Sequence, residues 1–224
     1  MGQIIMTIKA INWTEGDVGR VQVQLAGGSC KIDWGDGKAG ILKANGTEWL
    51  YAMHPYPNSC KKTGGIFNII ISSDCNNIIG IMADSGDMNV EDIDIKGCQS
   101  LEFFSASYLI DHFDLKTNPG IKKCDLKGEA CASADFSNST GLEELDFYLT
   151  SAVTVLDLSK CNNLKRLYCN NAWDLKTIKI SNRSSLKEVT YNNDTPLDSK
   201  TLEILHRIVV EKNGGIITKE ENEI

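Results

Sequence analysis

No apolar run in the chain approaches the ~20 residues that a membrane-spanning helix needs, which excludes a helical span. Nor is there a concentrated basic stretch. The 23 lysines and arginines are dispersed among 224 residues against 30 acidic side chains, a formal charge of −7 with a pI near 5.0. Phosphate recognition needs a dense basic face, so nucleic acid and anionic lipid are excluded as main partners. No C-x-x-C occurs and only three histidines are present (His54, His112, His206), which argues against a zinc ribbon or a thioredoxin-like site. G-x-S-x-G, H-E-x-x-H, Walker and G-x-G-x-x-G motifs are all missing. With its histidines in three separate regions, the chain offers no poised acid–base pair, so no enzymatic activity, no cofactor and no metal are expected. Residues 1–10 lack a basic segment followed by an apolar one; the chain is either trimmed or not exported by that route.

What is present is an ordinary foldable composition, with 42% apolar residues and eight cysteines. Several of the cysteines recur at one phase of a repeat, which favours small buried thiols over bridges. Cys30 and Cys60 lie outside the repeats and are the pair to examine for a bond.

Residues 1–71 read as short strands, at 4–8, 20–25, 31–34, 49–52 and 67–71. Val21, Val23 and Leu25 alternate with Gln22 and Gln24, so one face points inward and one into water. Gly27-Gly28, Asp36-Gly37, Asn45-Gly46 and Gly64-Gly65 supply turns. Such spacing predicts an antiparallel sandwich. Lys31-Ile32-Asp33-Trp34-Gly35-Asp36-Gly37, then His54-Pro55-Tyr56 and Gly65-Ile66-Phe67-Asn68-Ile69-Ile70-Ile71, resembles the PKD-type Ig-like sandwich. In that resemblance Trp34 fills the core and Asp36-Gly37 forms a tight turn. Asp33, Asp36 and His54 also form a conceivable acid–base or metal cluster, but turn capping and a packed imidazole account for them more simply.

From residue 90 the pattern becomes periodic. Val90/Ile93/Ile95/Cys98 is followed by Ile110/Phe113/Leu115/Asn118, Cys131/Ala134/Phe136/Ser139, Val153/Leu156/Leu158/Cys161 and Leu175/Ile178/Ile180/Arg183. Each copy then carries a second apolar segment. These segments open at Leu101, Ile121, Leu142, Leu164 and Leu186, in steps of 20, 21, 22 and 22 residues. An imperfect earlier copy, Cys75/Ile78/Ile81, reads as the opening cap. The pattern L-x-x-L-x-L-x-x-[NC] resembles the leucine-rich repeats of bacterial surface proteins, and the order sandwich-then-repeats resembles proteins of Bacteroidetes. What the resemblance implies is a solenoid at the cell surface or secreted, although the missing signal segment leaves a cytoplasmic location open.

Coils of this length bring each apolar position above its counterpart, building a core that no single repeat buries alone. Short connections leave little room for helices, so extended segments are expected on both sides of each coil. Arg183 breaks the ninth-position rule and suggests a solenoid loosening toward its end. Pro196-Leu197-Asp198-Ser199 starts a helix, Leu202, Leu205, Ile208 and Val209 keep its period, and Asn213-Gly214-Gly215 stops it. That helix is expected to cap the last coil, with residues 219–224 frayed. The expected fold is therefore mainly β: a sandwich over 1–71 and a solenoid over 72–224, with repeats at about 73–191 and the cap at 192–224.

Two surface rows follow from the period. Asp94, Asp114, Asp135 and Asp157, with Lys179 at the fifth level, form a carboxylate ladder at ~4.8 Å spacing. It is either a site for Ca²⁺ or a basic partner, or a solvated row bonded to groups two residues on (Lys96, Lys116, Ser137, Ser159). The second reading is preferred, because hard cations need six or more converging oxygens. Lys123, Glu144, Arg166 and Glu188 alternate in sign and would pin register. Phe103, Tyr108, Tyr148, Tyr168 and Trp173 fall off the core positions and are candidate aromatic anchors. The expected function is a monomeric, non-enzymatic interaction or adhesion protein that binds a protein through a solenoid face comprising Asp94, Lys96, His112, Asp114, Lys116, Asp135, Asp157 and Tyr168. The alternative is a glycan- or Ca²⁺-binding module of the cell envelope.

Overall fold

The computed structural model describes residues 2–9, 18–56, 65–74, 76–83, 89–107, 112–127, 133–148 and 152–221. Most of them lie in strands, and the chain divides into two units, Met1–Ile110 and Asp111–Ile224.

In the first unit, period-two alternation sets the strands. Val21, Val23 and Leu25 are buried and Arg20 is exposed, as the pleat requires. One antiparallel sheet contains β4 (Ala39–Lys43), β3 (Ser29–Asp33), β6 (Ile66–Ser73), β1 (Gly2–Lys9) and β8 (Asn89–Asp94), in that order. A second contains β5 (Trp49–Pro55), β2 (Val18–Leu25), β7 (Ile78–Ala83) and β9 (Phe103–Ser107), with β9 parallel to β7. Ile4, Met6, Ile8, Ile32, Ile69 and Ile71 from the first sheet and Val21, Val23, Leu25, Ile78 and Ile81 from the second are buried core residues. Strand β4 was not anticipated from sequence. Strands β7 and β8, from the stretch read as the first coils, hydrogen-bond to β2 and β1.

The Trp34-Gly35-Asp36-Gly37 turn is held from several sides. Gly35 sits at φ +78°, and a Cβ there would stand 2.8 Å from the Asn68 carbonyl oxygen, so only glycine fits. The His54 ring stacks on Trp34 with centroids 5.1 Å apart, and its Nε2 lies 2.8 Å from Asp36 Oδ2. The Tyr56 hydroxyl donates to the Trp34 carbonyl at 2.8 Å. Asp33 and Asp36 accept the N–H groups of Gly35 and Lys38, each two residues on. Turn capping around a packed imidazole is what these contacts describe.

The second unit is a β-solenoid of four windings. Its first-side strands are β10 (His112–Asp114), β12 (Ser133–Asp135), β14 (Val155–Leu158) and β16 (Thr177–Ile180), paired in parallel as β10–β12 and β14–β16. Its second-side strands are β11 (Lys123–Lys127), β13 (Glu144–Tyr148), β15 (Arg166–Tyr168) and β17 (Glu188–Asn192). A last strand, β18 (Ile216–Glu220), extends them into one parallel sheet. The sequence period is also the pairing register: Lys123 faces Glu144, Glu144 faces Arg166 and Arg166 faces Glu188. Just before these strands a backbone ladder climbs the stack, from Glu143 N to Lys122 O (2.7 Å), Lys165 N to Glu143 O (2.8 Å) and Lys187 N to Lys165 O (2.9 Å). Leu145, Phe147, Leu156, Leu158, Leu167, Ile178 and Val189 are buried between the two sides.

At the bend after each first-side strand, Asn118, Ser139 and Cys161 are buried, as is Cys98 in the first unit. The thiols serve as weak donors, Cys98 to the Ile78 carbonyl and Cys161 to the Phe136 carbonyl. In the fourth winding the slot holds Ser184 rather than Arg183. Ile178 and Ile180 keep register with Leu156 and Leu158, but one extra residue follows, which leaves Arg183 exposed and buries Ser184. The winding is therefore closed, and the expectation of loosening at this point is corrected. Cys30, Cys98, Cys124, Cys161 and Cys169 are buried thiols; Cys60, Cys75 and Cys131 lie outside the described residues. Burial pushes the Cys30 thiol up to about 11 and those of Cys161 and Cys169 to about 12.

The cap begins as its sequence suggests. Asp198 accepts the Thr201 N–H at 2.6 Å and starts α1 (Ser199–Leu205). The helix widens into a π-helical segment, His206–Lys212, and Thr201, Leu205, Ile208 and Val209 are buried. The expected frayed tail is a second correction, since Lys219 and Glu220 belong to β18. Residues 222–224 lie outside the described residues. Gly215 makes β18 possible, because a Cβ there would run into the Lys187 backbone. Among the described residues, no helix is long and apolar enough to cross a membrane.

Candidate functional site

Carboxylates at the ends of β8, β12 and β14 close turns. Asp94, Asp135 and Asp157 each accept the N–H two residues on, from Lys96 (2.9 Å), Ser137 (2.8 Å) and Ser159 (3.0 Å). Each side chain satisfies a backbone donor where the chain leaves its strand. Asp135 also pairs with Lys116 at 2.6 Å and Asp157 with Lys179 at 3.6 Å. Hydrogen bonds from Lys116 and Ser137 hold the Asp135 carboxyl down at about 2. Asp157 is lowered first by Ser159 and then by Lys179. His112 and Asp114 sit on β10, and their side chains lie outside the described residues. Among the described residues, no three His, Cys, Asp or Glu side chains group as metal ligands.

The outer surface of the second-side sheet has a different character. Parallel in-register strands place their outward side chains in rows, and three rows result. The first is Lys123, Glu144, Arg166, Glu188. Glu144 bonds Lys123 Nζ at 2.5 Å and Arg166 Nε at 2.7 Å, which completes a charge-compensated ladder. Burial alone would raise the Glu144 carboxyl, but these two bonds outweigh it and lower it.

The second row is Asp125, Asp146, Tyr168, Thr190. Two carboxylates are direct cross-strand neighbours here. Partial burial, then repulsion from Asp125, pushes Asp146 up to about 6. Asp125 Oδ1 is enclosed without a hydrogen-bond partner, while its other oxygen lies 3.5 Å from Lys127. Tyr168, the aromatic member of the sequence-derived surface, is half-buried and donates its hydroxyl to Glu188 at 3.1 Å.

The third row runs along the carboxyl ends of the strands. Lys127 faces Tyr148 and Asn192 faces Glu220, with Asn170 at the same level between them. Here the surface opens into a cleft of about 690 Å³ lined by Tyr148, Asn170, Asn171, Asn192, Asp194, Glu220 and Glu221. Its walls brace one another. Asn171, at φ +55°, donates its amide to the Tyr148 hydroxyl at 3.1 Å, and its backbone N–H bonds Asn192 Oδ1 at 2.9 Å. Asn192 returns a hydrogen bond to Asn171 Oδ1, and Asn170 Nδ2 reaches Glu220 at 2.7 Å. Asn170 Oδ1 is enclosed with no partner.

Sequence reasoning missed this cleft. The available signal was the Asn-Asn pair at 170–171 and its copy at 192–193, one repeat apart. Of the other candidate anchors, Phe103 packs edge-on against Trp49 at 5.1 Å, Trp173 is 40% exposed, and Tyr108 lies outside the described residues. No protein-family model, curated protein or solved structure matches this chain.

Proposed function

We propose that this chain is a non-enzymatic interaction protein, in which leucine-rich-type windings present the second-side sheet to another macromolecule and an Ig-like, PKD-type sandwich over the N-terminal strands acts as spacer or cap. The cell surface or the secreted space is the location that fits the resemblance. The observation that carries the reading is the contrast between the two sides of the second unit. First-side carboxylates spend their oxygens on turns and lysines, whereas the second side ends in a cleft whose carboxylates are not all engaged. Solenoids bind through extended surfaces of this kind.

Site-specific photocrosslinking tests it. A benzophenone side chain at Tyr148 should capture a discrete macromolecular adduct from envelope extract, and the same group at Ser159 on the first side should not. Adducts absent from both positions, or identical at both, would refute the proposal.

A further inference from the structure

The cleft at the carboxyl ends of β13, β15, β17 and β18 is lined by charge of one sign. Asn171 and Asn192 are committed to one another and to Tyr148. Acceptors dominate what is left over: the Glu220 oxygen not bonded by Asn170 and the carboxylates of Asp194 and Glu221, beside the Tyr148 hydroxyl and single amide hydrogens as donors. Three of the seven lining residues are acidic and none is basic. An anionic ligand would meet repulsion and find no cation to hold it. A chiefly apolar ligand would desolvate the Asp194, Glu220 and Glu221 carboxylates and leave them unpaired.

The complementary group carries several N–H donors and positive charge, and Lys and Arg side chains supply both. The Tyr148 ring at one wall adds a face on which a cation can rest. A cleft of 690 Å³ lies within the range of natural ligand pockets and exceeds one side chain, which points to a short segment rather than an isolated ion.

We infer that this cleft is a docking site for a lysine- or arginine-bearing peptide segment of a protein partner. The inference rests on the reading of the second side as the binding surface and names the chemistry of what binds there. The Glu220 carboxylate receives the cationic head, and Asp194 and Glu221 supply the surrounding field.

Fluorescence anisotropy with a labelled, end-capped Lys-Arg-Lys-Arg tetrapeptide tests it on the full chain. Asp194→Asn and Glu220→Gln should each weaken binding at least tenfold while leaving the thermal melt unchanged. Raising NaCl from about 50 to about 200 mM should weaken it severalfold. Equal binding by wild type and both acidic variants would overturn the inference, since the peptide would then be held elsewhere on an acidic protein. Absent peptide binding, or saturation by a neutral oligosaccharide or Ca²⁺ in its place, would overturn it too. A Tyr148 crosslink that persists in that case leaves the broader proposal standing, so the two failures are distinguishable.

Discussion

The Asp125–Asp146 rung sets a measurable conflict between charge and packing. Asp146 is raised from 3.8 to about 6, by partial burial first and by its acidic neighbour second. At 1.36 kcal/mol per pH unit, that rise corresponds to about 3 kcal/mol, and solvent screening at a half-buried position reduces it to about 1–2 kcal/mol. A carboxyl raised on folding binds its proton more tightly in the folded chain than in the unfolded one. The cost to folding therefore builds as pH rises from about 4 to about 6, is complete above 6, and is lost as pH falls back toward 4. Asp146→Asn removes the charge and places amide hydrogens on the rung beside the unpartnered Asp125 Oδ1. The variant should exceed wild type by about 1–2 kcal/mol at pH 7.5, with the advantage falling to roughly a third of that at pH 4.5. Urea unfolding followed by circular dichroism between pH 4.5 and 8 measures both values. A difference independent of pH, or a variant less stable at pH 7.5, would refute the reasoning.

Three further outcomes follow from other parts of the fold. Glu144→Gln breaks bonds to Lys123 and Arg166 at once and should cost about 1 kcal/mol at pH 7. Because the folded carboxyl is lowered, that cost should vanish as pH falls below the carboxylate range, which acid titration of the two proteins would show. Gly215→Ala should destabilise the chain by about 1–3 kcal/mol and release the β18 amides in hydrogen exchange, because its Cβ collides with the Lys187 backbone. The thiols of Cys98, Cys161 and Cys169 should react with Ellman's reagent only on unfolding, since burial raises all three; rapid modification of the native protein would contradict their placement.

The winding was legible in the sequence because its period is also its register. Leu145 and Leu167, twenty-two residues apart, are direct neighbours across β13 and β15. The alternating charges announced their ladder for the same reason. Periodicity does not register a local slip, so Arg183 read as a defect when one extra residue before the slot, offset by one fewer after it, had moved Ser184 into place. Strand β18 was hidden because none of its residues is buried and its pairing needs only the backbone groups of a tail that, taken alone, reads as solvated. The cleft depends on that strand for Glu220 and on the Asn171 turn for its brace, so it could not be assembled from repeats ending at Tyr191. For the Asp row the sequence posed the right alternatives, and the N–H two residues on decides for turn closure at Asp94, Asp135 and Asp157.

The central claim is that successive windings stack in register, one strand spacing apart. Spin labels at Lys122 paired in turn with labels at Glu143, Lys165 and Lys187 test it most directly, since these positions climb a single backbone ladder. Continuous-wave EPR should give dipolar broadening that falls stepwise across the three pairs, for separations of roughly 5, 10 and 14 Å. Broadening equal in all three pairs, or strongest for the Lys122–Lys187 pair, would contradict the stack.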